Sequence, residues 1–327
     1  MTSIMNEFDF IRSIKQSTYR NAATIKGIGD DAAVFRQSYH DIVTAVDTFV
    51  DGVHFSKQTM DPFQIGYRAL AANLSDMAAM GANPIAYLVS IVVPPHYSDQ
   101  DLAEIYRGLD TIAQKYQLDL IGGDTVTGEQ LVLSVTINGA VERDKVRYRH
   151  LMKPDDLIFV TGTLGDSAAG LELLLSEQSD IKGANYLIDR HRKPTPRINF
   201  AKRLAPIDRI ALNDISDGIA SELNELAQAS HLTIYSNTAK LPVSEPLKQF
   251  SRDRQLEYIL NGGEDFELVG SVARKDWPIV KQIAKQTETP IVIIGEVIDQ
   301  ETTNGTVWIK NNKVYDKLHS SGYVHRN

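Results

Sequence analysis

Cysteine is absent from the 327-residue chain, which removes disulfides, thiolate zinc sites and cysteine nucleophiles together. The same absence suits a reducing cytoplasm, the location expected here. No apolar run approaches the roughly 18 residues that a bilayer-crossing helix needs, so no membrane partner is expected. The first ten residues carry Glu7 and Asp9 and lack an apolar core, so no export signal is expected. A basic excess is missing too: 34 Lys and Arg face 42 Asp and Glu, a net charge of −8. A free nucleic-acid strand is therefore not an expected partner. The familiar nucleotide motifs are also lacking. There is no Gly-Lys dipeptide, hence no Walker A loop, and the protein-kinase set of glycine loop and HRD triplet does not occur. Neither G-x-S-x-G nor H-E-x-x-H occurs, which excludes serine-hydrolase and zincin chemistry.

What remains is an ordinary globular composition, 43% hydrophobic and 23% charged, long enough for about two domains. Glu7 to Ser17 reads as a short amphipathic helix with Phe8, Ile11 and Ile14 on one face. "HDIVTAVDTFV" reads as a strand. "DPFQIGYRALAANLSDMAAMGA" reads as a helix that Asp61 caps, Pro62 opens and Gly81 ends. "PIAYLVSIVVPP" is a buried strand, Asp101 to Tyr116 a helix, and "LDLIGGDTV" and "LVLSVTINGAVE" two further strands. The basic, irregular "RDKVRYRHLMKPDD" marks a boundary, which divides the chain into residues 1–148 and 149–327. Beyond it come strand "LIFVTGT", the glycine turn "GTLGDSAAG" and helix "LELLLSE". Helical material broken by the two prolines of "KPTPR" follows. Strand "RIALNDIS", a helix from Gly218 to Ala229, and strands "LTIYS" and "FELVGSV" come next. The chain finishes with helix "WPIVKQIAKQ", strand "IVIIGEVI" and a hairpin turning at Asn311-Asn312. Alternating strands and helices predict an α/β layer architecture.

Aspartates collect at or near the ends of these strands. Asp30 and Asp31 sit side by side in "GIGDDAAVF", where two adjacent like charges call for neutralisation. Asp47 lies in "AVDTF", Asp124 in "IGGDTV", and Asp214 and Asp217 in "NDISDG". Open α/β sheets place their ligand sites at strand ends. Any one of these acids could be a plain turn or helix cap, and Asp217 stands just before a helix. Asp76 falls on a helix face with Ile65, Ala69, Ala72 and Met80; either that face is buried and the acid wants a cation, or it meets solvent. Hard oxygen donors without histidine–cysteine clusters point to Mg²⁺, in several ions, which would let an acidic protein bind a polyphosphate. "GTLGDSAAG" could cradle a phosphate at a helix N-terminus or be a tight turn.

The segments "GIGDDAAV", "AVDTFVDGVHF", "NLSDMAAMGANP", "GGDT", "VTGTLGDSAAGL", "NDISDGIASEL" and "GGEDFEL" occur in the order seen in the thiamine-monophosphate kinases, and the terminal "SSGYVH" is similar to that family's aromatic tail. The resemblance spans nearly the whole chain. It implies a two-domain PurM-like α/β fold, with an N-terminal metal- and ATP-binding domain whose sheet joins a second copy's in a dimeric barrel, and a C-terminal α/β domain. It further implies ATP-dependent phosphorylation of thiamine monophosphate to thiamine diphosphate by direct in-line transfer. Carried over motif by motif, Asp30, Asp47, Asp76, Asp124, Asp214 and Asp217 would hold Mg²⁺ around the triphosphate, with Asp30, Asp47, Asp124 and Asp214 central to catalysis. Tyr106, Gly123, Arg149 and Ser216 would contact ATP, and His54, Asp265 and Tyr323 would lie at the thiamine-phosphate site. Arg149 is placed by aligning "RHLMKPDD" with the family's "RSGAKPGD", from which it departs at several positions. Ala45 and Val46 stand before Asp47 where family members often carry serine or threonine.

The chemistry agrees with this resemblance. Phosphoryl transfer depends mainly on positioning and charge neutralisation. The acceptor phosphate is already anionic, so no strong base is needed, and repulsion between polyanions is the main obstacle. A cationic thiazolium would suit acidic or aromatic neighbours such as Asp265 or Tyr323. Rival readings are aminoimidazole-ribonucleotide synthetase, and a non-catalytic protein that binds Mg²⁺ and nucleotide through the same acids. Selenophosphate synthetase and HypE fit poorly, because both rely on residues, chiefly cysteine, that this chain lacks.

Overall fold

The computed structural model describes residues 13–16, 18–26, 34–35, 40–176, 180–299, 304–311 and 314–320. Two short strands, β1 (Thr24–Lys26) and β2 (Val34–Phe35), pair antiparallel. The β-branched stretch read as the first long strand is β3 (His40–Val50). Helix α1 (Pro62–Ala79) opens as its sequence predicts. Gln64 N–H donates to Asp61 Oδ1 (2.8 Å) and Asp61 N–H to Gln64 Oε1 (3.0 Å), a reciprocal cap, with Pro62 at the first helical position. Gly81, at φ +69°, ends it. Leu70, Leu74 and Met77 are fully buried, and so is Ala69; Ile65 and Ala72 are nearly so. The alanine face therefore does not meet solvent, and Asp76 is half-buried beside it.

Strand β4 (Asn83–Val93), helix α2 (Asp99–Tyr116), and strands β5 (Asp119–Thr127) and β6 (Val132–Glu142) complete the first unit. α2 starts two residues earlier than its hydrophobic pattern indicates, because Ser98 and Asp101 form a capping box. The helices cross at glycines: a Cβ on Gly66 would stand 1.9 Å from Ile105 O, and one on Gly108 2.0 Å from Phe63 O. Only residues without side chains let the two backbones approach so closely. The sheet order is β3-β6-β4-β5, with β4 and β5 parallel across the α2 crossover and the other pairs antiparallel. Met77 of α1 packs at Gly139 on one face. The other face leaves Ile42, Val46 and Val126 exposed.

The second unit holds strands β7 (Leu157–Thr161), β8 (Ile210–Asp214), β9 (Thr233–Asn237), β10 (Leu268–Val272), β11 (Ile291–Ile298), β12 (Val307–Asn311) and β13 (Val314–Leu318). Among the described residues they make one mixed seven-stranded sheet, β13-β12-β9-β11-β7-β10-β8. Its helices are α3 (Asp166–Ser176), α4 (Ala184–Arg192), α5 (Ile198–Arg203), α6 (Ile219–Ser230), α7 (Arg252–Asn261) and α8 (Trp277–Gln286). One apolar cluster binds sheet to helices, with Ile158, Val160, Ile215, Leu223, Leu226, Ile234 and Val269 at its centre. The terminal hairpin is present, β12 pairing with β13. Three readings change. α3 begins inside the expected glycine turn, β10 begins two residues late because Phe266 is left-handed, and α7 has no counterpart in the hydrophobic pattern. Of the expected helix at residues 7–17 only 13–16 are described, and Asp30, Asp31 and Tyr323 lie outside the described residues.

Compactness divides the chain into Met1–Met77 with Ala82–Asp144, and Ala78–Gly81 with Lys145–Asn327. Among the described residues no helix is long and apolar enough to cross a membrane.

Candidate active site

In the second unit, edge strand β8 delivers Asp214 at its last position, 5% exposed. The chain then turns through Ile215, Ser216, Asp217 and Gly218 (φ +103°) into α6. Gly218 is the helix cap, so Asp217 stands one residue outside that position, exposed. This loop is bonded backbone to backbone with a second one, the "GGEDFE" segment. Glu264 N–H donates to Ser216 O (2.7 Å), Phe266 N–H to Ile215 O (2.9 Å), and Ile215 N–H to Glu267 O (2.8 Å). Glu264 and Phe266 both hold positive φ, at +57° and +49°. Side-chain-bearing residues rarely adopt that conformation, and such strain persists only where the surroundings over-determine it. The fold thus joins into one platform two segments far apart in sequence, bringing together Asp214, Ser216, Asp217 and Asp265.

Four carboxylates share the α6 end of this platform. Glu222, 3% exposed, accepts from Asn213 Nδ2 and, through Oε1, from the Asp217 N–H (3.2 Å). Asn213 Nδ2 also donates to Glu225 Oε2 (3.0 Å). Arg149 donates from Nε to Asn213 Oδ1 (3.0 Å) and pairs through Nη2 with Glu225 (3.2 Å). Burial first, then the charges of Asp214, Glu225 and Asp217, push the Glu222 carboxyl up to about 9. The two N–H donors on Glu222, from Asn213 and Asp217, act the other way and favour the carboxylate form, as would a nearby cation. Among the described residues no three acidic or imidazole side chains gather closely enough to hold a metal by themselves. Mg²⁺ is usually held by one or two carboxylates with phosphate oxygens and water, and these hard donors fit that partial role. Sequence reasoning overlooked Asn213, Glu222 and Glu225; the signal was an acid pair at i, i+3 in the first turns after "SDG".

The glycine turn behaves differently from a phosphate cradle. Gly165 N–H (2.7 Å) and Ser167 N–H (3.3 Å), at the start of α3, both point at the Asp265 carboxylate. The protein supplies its own anion to that helix N-terminus, which is why α3 starts early. Asp265 is 1% exposed and its carboxyl is pushed up to about 7, chiefly by burial. Its direct duty is to shape the 163–167 turn. Asp166 is likewise taken up within the turn, accepting from Ser244 Oγ and Thr163 Oγ1, each at 2.5 Å. Beneath lies Glu267, fully buried and paired with Arg190 (2.9 Å) and, two-pronged, with Arg197 (2.5 Å to each oxygen), while Thr161 Oγ1 donates to it at 2.6 Å.

In the first unit, the sheet register aligns Asp47, Val135, Val89 and Gly123 in one row, and Thr48, Ser134, Ser90 and Asp124 in the next. Adjacent rows point to opposite faces, and β3 and β5 are the two edges. Asp47 and Asp124 are therefore not brought together within this sheet. Burial pushes the Asp47 carboxyl up; Asp124 is exposed. A Cβ on Gly123 would sit 2.0 Å from Val89 O. His54 closes the turn after β3, where its Nδ1 accepts the Val50 N–H (3.1 Å), leaving Nε2 as the protonated nitrogen. Tyr106 is buried in α2, and burial pushes its phenol up.

Comparison with known proteins matches both units. A family model described as AIR synthase related protein, N-terminal domain, matches residues 29–141, and its C-terminal counterpart matches residues 153–307. Thiamine-monophosphate kinase of Bacillus subtilis (strain 168) is 42% identical over 327 residues, covering 98% of this chain and 99% of that protein. The crystal structure of thiamine-monophosphate kinase from Stenotrophomonas maltophilia K279a superposes with a TM-score of 0.83 at 32% identity, covering 94% and 96% of the two chains. AaThiL complexed with AMPPCP and TMP superposes at 0.76 with 31% identity, covering 98% and 97%.

Proposed function

Because the chain belongs to the thiamine-monophosphate kinase family, we infer that it transfers the terminal phosphoryl group of ATP to thiamine monophosphate, yielding thiamine diphosphate and ADP. The observation that carries this reading is likeness over almost the whole length of both units, with the "NDISDG" and "GGEDFE" loops interlocked at a cluster of acids. An oxygen of the acceptor phosphate attacks the γ-phosphorus in line, and the bond to the β–γ bridging oxygen breaks. No proton need leave the nucleophile at neutral pH, so the protein's task is to position two polyanions and offset their charge.

Mg²⁺, when bound, would supply that charge neutralisation. We assign its ligands to Asp30, Asp47, Asp76 and Asp124 in the first unit and Asp214 and Asp217 in the second. The half-buried Asp76 and Asp47 and the acid-crowded Glu222 support that assignment. Arg149, Ser216, Tyr106 and Gly123 are the nucleotide contacts of this reading. Gly123 offers bare backbone on an exposed edge strand, and Arg149 a fixed guanidinium. In this reading His54 offers a donating Nε2–H to the acceptor, Tyr323 contributes an aromatic ring, and Asp265 acts through the turn it organises. A homodimer is part of the proposal. Exposed Ile42, Val46 and Val126, alternating with Thr44 and Thr48, suit burial against a second copy.

The deciding experiment mixes protein, ATP, Mg²⁺ and thiamine monophosphate and follows thiamine diphosphate by chromatography. The expected result is product formed in step with ADP. Mg²⁺-dependent ATP binding without turnover would establish a binding protein and overturn the kinase.

A further inference from the structure

Between Arg149 and Asp217 runs a hydrogen-bond chain in which every donor and acceptor is specified. Arg149 Nε donates to Asn213 Oδ1 (3.0 Å), Asn213 Nδ2 donates to Glu222 Oε2, and Glu222 Oε1 accepts the Asp217 N–H (3.2 Å). A guanidinium has no acceptor, so Asn213 must turn its oxygen toward Arg149. Its NH₂ then has to face acceptors, and Glu222 and Glu225 provide one each. We propose that Glu222 and Asn213 are positioning residues which lock the Arg149 guanidinium to the Asp217 loop, so that nucleotide recognition and the acidic loop form one preorganised unit.

Burial supports a role beyond packing. Glu222 is 3% exposed and Asn213 1%, and Ile219, Ala220 and Leu223 around Glu222 on α6 are fully buried. An aliphatic side chain at this position would serve that core without desolvating an acid. Arg149, by contrast, sits on a single 3₁₀ turn with its side chain 52% exposed, where a long cation ordinarily samples many rotamers. Two bonds, to Asn213 and to Glu225, hold it in one direction.

The proposal rests on the kinase reading for its ligand, Mg·ATP, and the test is built on binding so that the two can fail separately. Calorimetry would measure Mg·ATP affinity of the full-length wild type, of Glu222→Gln, and of the charge-conserving double variant Glu222→Gln with Asn213→Asp. In Glu222→Gln the backbone N–H of Asp217 keeps the new amide's oxygen, so its NH₂ turns toward Asn213. Asn213 then loses its acceptor at position 222, and any flip that restores a bond to the new amide gives up those to Arg149 and Glu225. The expected result is ATP binding weakened about tenfold, the scale of one hydrogen bond to a charged group. In the double variant the carboxylate introduced on β8 accepts from both the α6 amide and Arg149, so affinity returns to within about threefold of wild type. Unchanged affinity in Glu222→Gln overturns the relay, and so does a loss that the double variant fails to restore. Thermal melting monitors the fold. Should Glu222→Gln alone not fold, the double variant decides: near-wild-type affinity supports the relay, and a tenfold loss overturns it. Wild-type protein that binds Mg·ATP yet forms no thiamine diphosphate would overturn the kinase reading alone.

Discussion

At the scale of single residues, burial separates acids that look alike in the sequence. Asp214 is buried at the end of edge strand β8 and Asp124 is exposed on edge strand β5, and both are assigned to phosphate-bound Mg²⁺ under the proposed function. Asp214→Asn and Asp124→Asn are each expected to lower kcat by about 100-fold or more, with melting temperatures little changed, because the lost charge acts on the transferring phosphoryl group. Steady-state rates near wild type in both would contradict the metal assignment. Asp265 behaves otherwise. Its ordinary carboxyl value is 3.8, and burial raises it in the folded protein to about 7. Between those values the folded chain keeps a proton that the unfolded chain has lost. This residue's contribution to stability therefore falls as pH rises through that window and levels off above it. Denaturant titrations at about pH 5 and about pH 8 should show a flatter pH dependence in Asp265→Asn than in wild type.

Among the elements, the best-foretold were those whose own residues carry start and stop instructions. α1 has Asp61, Pro62, Gln64 and Gly81 in its sequence, and each does in the structure what its chemistry suggests. α3 departs because its capping anion, Asp265, comes from 100 residues downstream. α7 was missed because its apolar positions, such as Tyr258 and Ile259, are too few to make a clear stripe. The segment after α7 owes its shape to Glu267, buried between Arg190 of α4 and Arg197 ahead of α5. Glu267→Gln should cost about 3–5 kcal/mol of unfolding free energy, since two largely buried guanidinium groups would lose the counter-charge of a fully buried acid. Guanidinium chloride unfolding would measure it; a loss under about 1 kcal/mol would show that the triad is not holding these elements together.

On the scale of the whole molecule, one face of the β3-β6-β4-β5 sheet is wet and apolar. Its Ile42, Val46 and Val126 are 44%, 59% and 47% exposed, an arrangement that favours a second copy as cover. If the proposed dimer covers this face, Val46→Asp should weaken self-association about hundredfold, by placing a charge between the two sheets. Analytical ultracentrifugation at micromolar protein would read this as a shift from dimer to monomer. Identical sedimentation of variant and wild type would remove this face from the interface.

Local chemistry determined the strands, the helix caps and the presence of hard-oxygen donors suited to a phosphate-bound cation. Those properties depend on neighbours a few residues apart, so the amino-acid order alone reveals them. Tertiary structure decided which acids are buried, which face water, and which are spent on the fold itself. Desolvation and hydrogen-bond pairing depend on what the chain brings alongside from afar. Thus Asp265 became a turn-forming anion, Asp47 and Asp124 came to opposite faces of one sheet, and Glu222 was buried beside a loop that its own helix follows.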